Sequence, residues 1–316
     1  MARRAFHLSG GTGLTRYRYR QGVRILMYHK FPQPHHLEEQ CRHLQEFYRP
    51  ISMTELGQSL HEGKQIPKNA VVITVDDGYR DFWTNAFPVL SAYSIPAIVF
   101  LATDMLDQGK CLWVDWVRIL FRNSPLTRVS LDLPLQESSQ YSMESASEKD
   151  RASFLTKEAL KQAPNGERLA FLERLPKLLQ LTCQPPLPVD LAPLSWREVR
   201  QMAAAGIEFG AHTMSHPILS RLASKEEIRA EVAGSKARIE QELQRPVLHF
   251  CYPNGTFADF NASTIEVLKE CGYRTSVVGE PGVNFPTADP YQLRRIGMEP
   301  GYAGMKFAQK AAGLPW

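Results

Sequence analysis

Short apolar runs alternate with segments of helical period along most of the chain. Val23 to Tyr28 (VRILMY), Ala70 to Val75 (AVVITV) and Ala97 to Ala102 (AIVFLA) are continuous and rich in β-branched residues, as strands buried on both faces are. Between the first two, Leu37, Cys41, Leu44 and Phe47 mark one face of a helix, and Ser52-x-x-Glu55 is a capping-box pattern that opens another. Further on, Ser195-x-x-Glu198 opens a helix that runs to Ala205 before Gly206, and Ile207 to Ala211 reads as a strand delivering His212. Ser224-x-x-Glu227 starts a long helix to about Leu243; strands are expected at Val247 to Tyr252 and Thr275 to Val278, with a helix from Ser263 to Cys271 between them. This order predicts an α/β chain with a parallel sheet. From Thr103 to Leu194 the pattern loosens into a polar stretch, Gln136 to Ser147, and helical pieces such as Leu169 to Leu181, which Pro176 should kink or divide. That region reads as an insertion.

Composition narrows the class. With 316 residues, 43% hydrophobic and 22% charged, the chain can bury a large core, which excludes a disordered or fibrous protein. No stretch approaches 18 uninterrupted apolar residues, and Met1 to Arg20 lacks the apolar segment of a secretory signal, so a soluble, cytoplasmic protein is expected. Five scattered cysteines without a C-x-x-C pair argue against a disulfide framework or a cysteine zinc site. The net charge of +4 is concentrated at the front, where residues 1–37 carry six Arg, one Lys and no acid. Residues 1–22 are expected to form a flexible basic arm, whose available partner is an anionic membrane surface; nucleic acid is not favoured. Ser9-Gly10-Gly11-Thr12-Gly13 lacks the preceding strand and the Gly-Lys-Ser/Thr ending of a phosphate loop, and is expected to be part of that flexible link.

Candidate chemistry lies at two strand ends. Asp76-Asp77-Gly78 ends the run AVVITV, placing adjacent carboxylates at the C-terminal end of a buried strand, where parallel α/β folds keep their reactive groups. Two such anions are costly unless a cation shares them or one keeps a proton. His212 and His216, spaced i and i+4 in Ala211-His212-Thr213-Met214-Ser215-His216-Pro217, would lie on one side of a helical turn and could converge on one ion. A carboxylate plus two imidazoles leaves an open coordination position, the composition of a catalytic divalent-metal site. Trp113 and Trp116, around Asp115, could stack on a sugar ring or cap the barrel mouth.

TVDDGY, AHTMSHP and CYPNG together resemble the signature motifs of the polysaccharide deacetylases, the NodB-type carbohydrate esterases of family four, in the subgroup with a YP-G third motif and a helical insertion. The resemblance spans about Val23 to Met298 and implies a distorted, TIM-like (β/α) barrel over residues 23–300, interrupted at about 103–194 by a mostly helical insertion, with a tail at 301–316. It implies Asp77, His212 and His216 as ligands of a divalent metal, zinc being the expected ion, and Asp76 as the general base toward a metal-activated water. The implied activity is removal of acetyl groups from N-acetylated sugars of a polysaccharide or glycoconjugate. Tyr252, on the CYPNG turn, is a weaker candidate for the oxyanion through its backbone N–H, and Arg295 for binding substrate or orienting a carboxylate. One departure matters: where many members carry a late Leu-x-x-His that supplies the general acid, this chain reads Leu293-Arg294-Arg295-Ile296-Gly297-Met298. The acid stays open between His29 and His249. The gap also leaves two rival functions, a non-catalytic glycan-binding protein that keeps the metal site, and a metal-dependent amidase acting on a small non-sugar amide.

Overall fold

The computed structural model describes residues 9–32, 34–135, 137–299 and 301–314. Its strands are, in chain order, β1 (Arg24–Tyr28), β2 (Arg49–Pro50), β3 (Ala70–Val75), β4 (Ala97–Leu101), β5 (Arg128–Leu131), β6 (Ser139–Ser142), β7 (Glu208–Ala211), β8 (His249–Cys251), β9 (Thr275–Pro281) and β10 (Leu293–Gly297). Seven of them close a parallel barrel in the order β1-β10-β9-β8-β7-β4-β3, with β3 returning to pair β1 from Arg24↔Val71 to Tyr28↔Val75. Strand β2 adds to the edge of β3, and β5 and β6 form a separate antiparallel hairpin. Helices cover the outside, giving the distorted (β/α) barrel expected.

Barrel closure explains why the strands lack alternation in sequence. Ile25, Val72, Ile98, Phe100, Val277 and Leu293 pack in one cluster, while Leu26, Val71, Ile73, Val75, Val99 and Leu101 join the larger core beneath the helices. Both faces of each strand are therefore buried, and a run such as AVVITV satisfies both. The expected N-caps are present: Ser52, Ser195 and Ser224 each accept from the backbone N–H three residues on, and at Ser195 the Glu198 side chain also reaches back.

The insertion has a core of its own, with Val117, Leu120, Phe121, Leu160, Phe171 and Leu175 at its centre. It contains the helices Trp113–Asn123, Ala146–Gln162 and Asn165–Leu178 and the hairpin β5–β6. Pro176 lies inside the last of these helices, within its final turn, and does not divide it.

Several expectations differ from the structure. The basic arm is not irregular over its described part: Gly11–Arg18 is a helix, with Gly10 at φ 83° before it, and the buried Arg24 guanidinium donates to Arg16 O at 3.2 Å. Residues 1–8 lie outside the described part. The tail forms the helix Gly304–Ala311, anchored by buried Phe307. The strand expected from Val247 to Tyr252 is only His249–Cys251. Among the described residues, no helix is long and apolar enough to cross a membrane.

Candidate metal centre

The C-terminal ends of the barrel strands bring His29, Asp76, Asp77, His212, Tyr252 and Arg295 around one cavity of about 340 Å³. Asp76 and Asp77 follow β3. Asp76 N–H still bonds across to Tyr28 O (2.9 Å), continuing the β3–β1 ladder, whereas Asp77 turns out of it at φ 78°. Gly78 has to be glycine: its φ is 100°, and a Cβ there would sit 2.9 Å from Leu101 Cδ2.

His212 and His216 are not carried by a helical turn, as their spacing suggested. The segment after β7 is irregular, and Thr213 (φ 66°) and His216 (φ 57°) both take left-handed conformations. A β-branched residue at positive φ is strained by about 1–3 kcal/mol, a cost that surrounding contacts must hold in place. They do: Glu231 accepts from Met214 N–H (2.8 Å), Ser215 N–H (3.0 Å) and the Ser215 hydroxyl (2.6 Å). Trp113 Nε1–H donates to His216 O at 3.0 Å, tying the insertion to the loop. Trp113 is thus a packed structural residue at the barrel mouth.

The result is a close convergence. His212 Nε2 and His216 Nε2 are 3.2 Å apart, and they lie 3.4 and 3.7 Å from Asp77 Oδ1. His212 Nδ1–H donates to Cys251 O at 2.7 Å, which leaves Nε2 as the nitrogen that faces the Asp77 carboxylate. His216 is held neutral: burial, then repulsion from His212, pushes it down to about 3. Burial pushes Asp77 up, but the His212 hydrogen bond and the neighbouring histidines outweigh it and keep the carboxyl well below the usual range. Burial lowers His212, but Cys251, Asp77 and Asp76 more than offset it and raise it well above its ordinary value, so its Nε2 holds a proton against Asp77 that a bound cation would displace. Two imidazole nitrogens and a carboxylate oxygen therefore meet in a buried place. Ligands around a tetrahedral zinc at about 2.0–2.2 Å are roughly 3.3–3.6 Å apart, so the spacing and chemistry of this donor set fit a divalent ion.

Asp76 is set apart from that trio by Arg295. The guanidinium meets Asp76 end-on, Nη1 to Oδ1 at 2.6 Å and Nη2 to Oδ2 at 2.8 Å, with both side chains buried. Its other N–H groups reach Thr74 Oγ1 (3.2 Å), Val278 O (2.9 Å) and Cys251 Sγ (3.2 Å). All five donors are occupied, which places Arg295 as the group that orients a carboxylate and leaves it no N–H for substrate. Burial raises the Asp76 carboxyl, but Arg295 more than offsets this and holds it below the usual carboxylate range. Asp76, His212 and Cys251 also lie close enough to share an ion, but Arg295 already occupies the space between Asp76 and the thiol.

Tyr252 is buried, its phenol donates to Tyr291 O (2.9 Å), and its N–H bonds to Val277 O at a long 3.3 Å. The structure also separates the two candidate acids. His249 sits at the start of β8, buried between Thr54 Oγ1 (3.2 Å) and Thr275 Oγ1 (2.8 Å), and does not line the cavity. His29, just past β1, does line it, half exposed, with Nε2 3.8 Å from Asp76 Oδ2. Sequence spacing could not find that pairing, because β1 and β3 become neighbours only when the barrel closes.

Over 63 residues, 20% of this chain and 9% of the other, the protein is 43% identical to a poly-beta-1,6-N-acetyl-D-glucosamine N-deacetylase of Escherichia coli strain K12. Over 260 residues, 82% of this chain and 62% of the other, it is 22% identical to YxkH of Bacillus subtilis strain 168. The chain therefore spans less than two thirds of either relative. Among solved structures, Streptococcus pyogenes deacetylase PplD in complex with acetate superposes with a TM-score of 0.61 at 19% identity, covering 92% of this chain and 98% of that one. IcaB from Ammonifex degensii gives 0.60 at 18%, covering 92% and 96%. At such identity these likenesses show the fold. Residues 63–276, more than half the chain, match the family model described as polysaccharide deacetylase, and the chain belongs to that family.

Proposed function

We propose that the protein removes acetyl groups from N-acetylated sugars of a polysaccharide or glycoconjugate, using a divalent metal held by Asp77, His212 and His216. The observation that carries this reading is the meeting of those three donors beside a second carboxylate that Arg295 keeps ionised. The name of the Escherichia coli relative supports an acetylated glycan as substrate. A divalent ion in that position, zinc by its donor set, would polarise the acetamide carbonyl and acidify a water.

The chain's own groups do the rest. Asp76, ionised at neutral pH and fixed in one rotamer by Arg295, accepts the proton of the attacking water. His29, across the cavity mouth, donates a proton to the departing sugar nitrogen. The Tyr252 N–H, whose bond to Val277 O at 3.3 Å is long enough to be shared with a second acceptor, is the backbone donor available to the developing oxyanion. His29 removes the main reason for a binding-only reading, which rested on the missing late histidine, and a pure binder has no need of Asp76. The test is acetate release from an N-acetylglucosamine oligomer after chelation and metal return. Metal-loaded protein that binds its ion but hydrolyses no acetylated sugar would refute the proposal, and turnover of small amides alone would favour the amidase.

A further inference from the structure

The helix Ala146–Gln162 of the insertion turns one face into the catalytic cavity: Phe154, Lys157, Glu158 and Lys161 recur at the spacing of one helical stripe. Ala152, Thr156, Ala159 and Leu160 bury the opposite face, so the stripe cannot rotate away. The charges at the cavity are nearly all matched. Arg295 answers Asp76 and Lys161 pairs with Glu158 at 2.8 Å, while outside the cavity lining Asp115 serves both Arg118 (3.1 Å) and Lys30 (3.7 Å) besides the Tyr79 hydroxyl. Lys157 alone among the lysines of this wall makes no ion pair or hydrogen bond to the described residues, and Asp115 and Glu158 act on it only at longer range. It is half-buried, and burial, with repulsion from Arg118 and Lys161, lowers its pKa. An ammonium in that position is costly until an anion meets it.

We propose that the glycan substrate carries an anionic group, a phosphate or a carboxylate, close to its acetamide, and that Lys157 receives it. This rests on the deacetylase reading and names its substrate class. Phe154, 55% exposed one turn away, offers an apolar face for the ring that bears the charge. A neutral N-acetyl sugar would leave the ammonium unmet; an anionic one is both drawn to the cavity and fixed in register by it.

The test compares three N-acetylglucosamine derivatives with the metal-loaded protein: the methyl glycoside, the 1-phosphate, and a disaccharide with glucuronic acid. We expect kcat/KM for at least one charged substrate to exceed that of the methyl glycoside by about tenfold or more, which is about 1.4 kcal/mol. K157Q should bring that ratio to about one, whatever it does to absolute rates, and K157R should retain it. The two charged arms distinguish phosphate from carboxylate. A wild-type ratio near one for both, or a ratio unchanged in K157Q, would overturn the proposal. Calorimetry on chelated protein reads the same site without turnover. Weaker binding of at least one charged ligand, relative to the methyl glycoside, in K157Q supports the anion site even if no acetate is ever released, an outcome that would sink the deacetylase reading alone. Equal binding in both proteins contradicts the site.

Discussion

Replacing Arg295 by methionine removes the partner of a fully buried carboxylate while keeping much of the side chain's volume. The two contacts it breaks are 2.6 and 2.8 Å long. For unit charges ~4 Å apart at an effective dielectric of about 20, the lost attraction is about 4 kcal/mol, and orphaning one member of a buried pair costs about 3–5 kcal/mol. Losing the guanidinium leaves burial unopposed, which raises the Asp76 carboxyl. In the native protein this carboxyl titrates below its unfolded value, so its contribution to stability is present above the unfolded pKa and lost as pH falls through the folded one. In Arg295→Met the order reverses, and the deficit should shrink on acidification. Urea unfolding at neutral pH should therefore show a loss of about 3–5 kcal/mol, largely recovered in the Arg295→Met/Asp76→Asn double variant, where no charge is orphaned. The acid limb of the pH profile of kcat/KM should move upward in the single variant. A double variant as unstable as the single one, or an unmoved acid limb, would refute the assignment of Arg295 as the group that holds Asp76 ionised.

Three further outcomes are expected. His29→Gln should lower kcat by about 10²–10⁴ with metal content unchanged, measured by acetate release and metal analysis; a wild-type rate would remove His29 as proton donor. Glu231→Gln, by loosening the loop that carries both imidazoles, should weaken metal affinity by about 10–100-fold in a chelator competition, and unchanged affinity would make the Glu231 cradle irrelevant to the site. His249 is pushed down to about 3, first by burial and then by nearby cations, so below about pH 6.5 the unfolded chain takes up a proton that the folded chain refuses. Stability should fall by about 2 kcal/mol between pH 7 and pH 5 from this residue, and His249→Gln should flatten that slope in urea titrations; an identical slope would contradict it.

The barrel was legible in particular residues. AVVITV and AIVFLA are buried on both faces and became adjacent strands β3 and β4, and the Ser195 and Ser224 caps start their helices where the serines stand. What escaped is what depends on long-range closure. Arg24 interrupts the apolar run of β1, and Leu293–Gly297 carries two arginines, yet Arg24 and Arg295 are completely buried because other parts of the chain supply their partners. The i, i+4 spacing of His212 and His216 pointed to two rings that do converge, but not through a helical turn: two left-handed residues bring them together where a helix was expected. The late histidine was missing from its expected motif, while His29 lies some 47 residues before Asp76 and meets it only through the β1–β3 ladder. No local signal marks Glu231 or Lys157, whose roles arise from helices laid against the barrel mouth.

The central claim is a division of labour between adjacent carboxylates, Asp77 gripping a metal and Asp76 moving a proton. Metal stoichiometry and acetate release, measured side by side on Asp77→Ala and Asp76→Asn, test it most directly. The account predicts that Asp77→Ala loses the ion and with it all turnover, while Asp76→Asn keeps a full equivalent of metal and loses turnover alone. Equal metal loss in both variants, or an active Asp76→Asn protein, would contradict it.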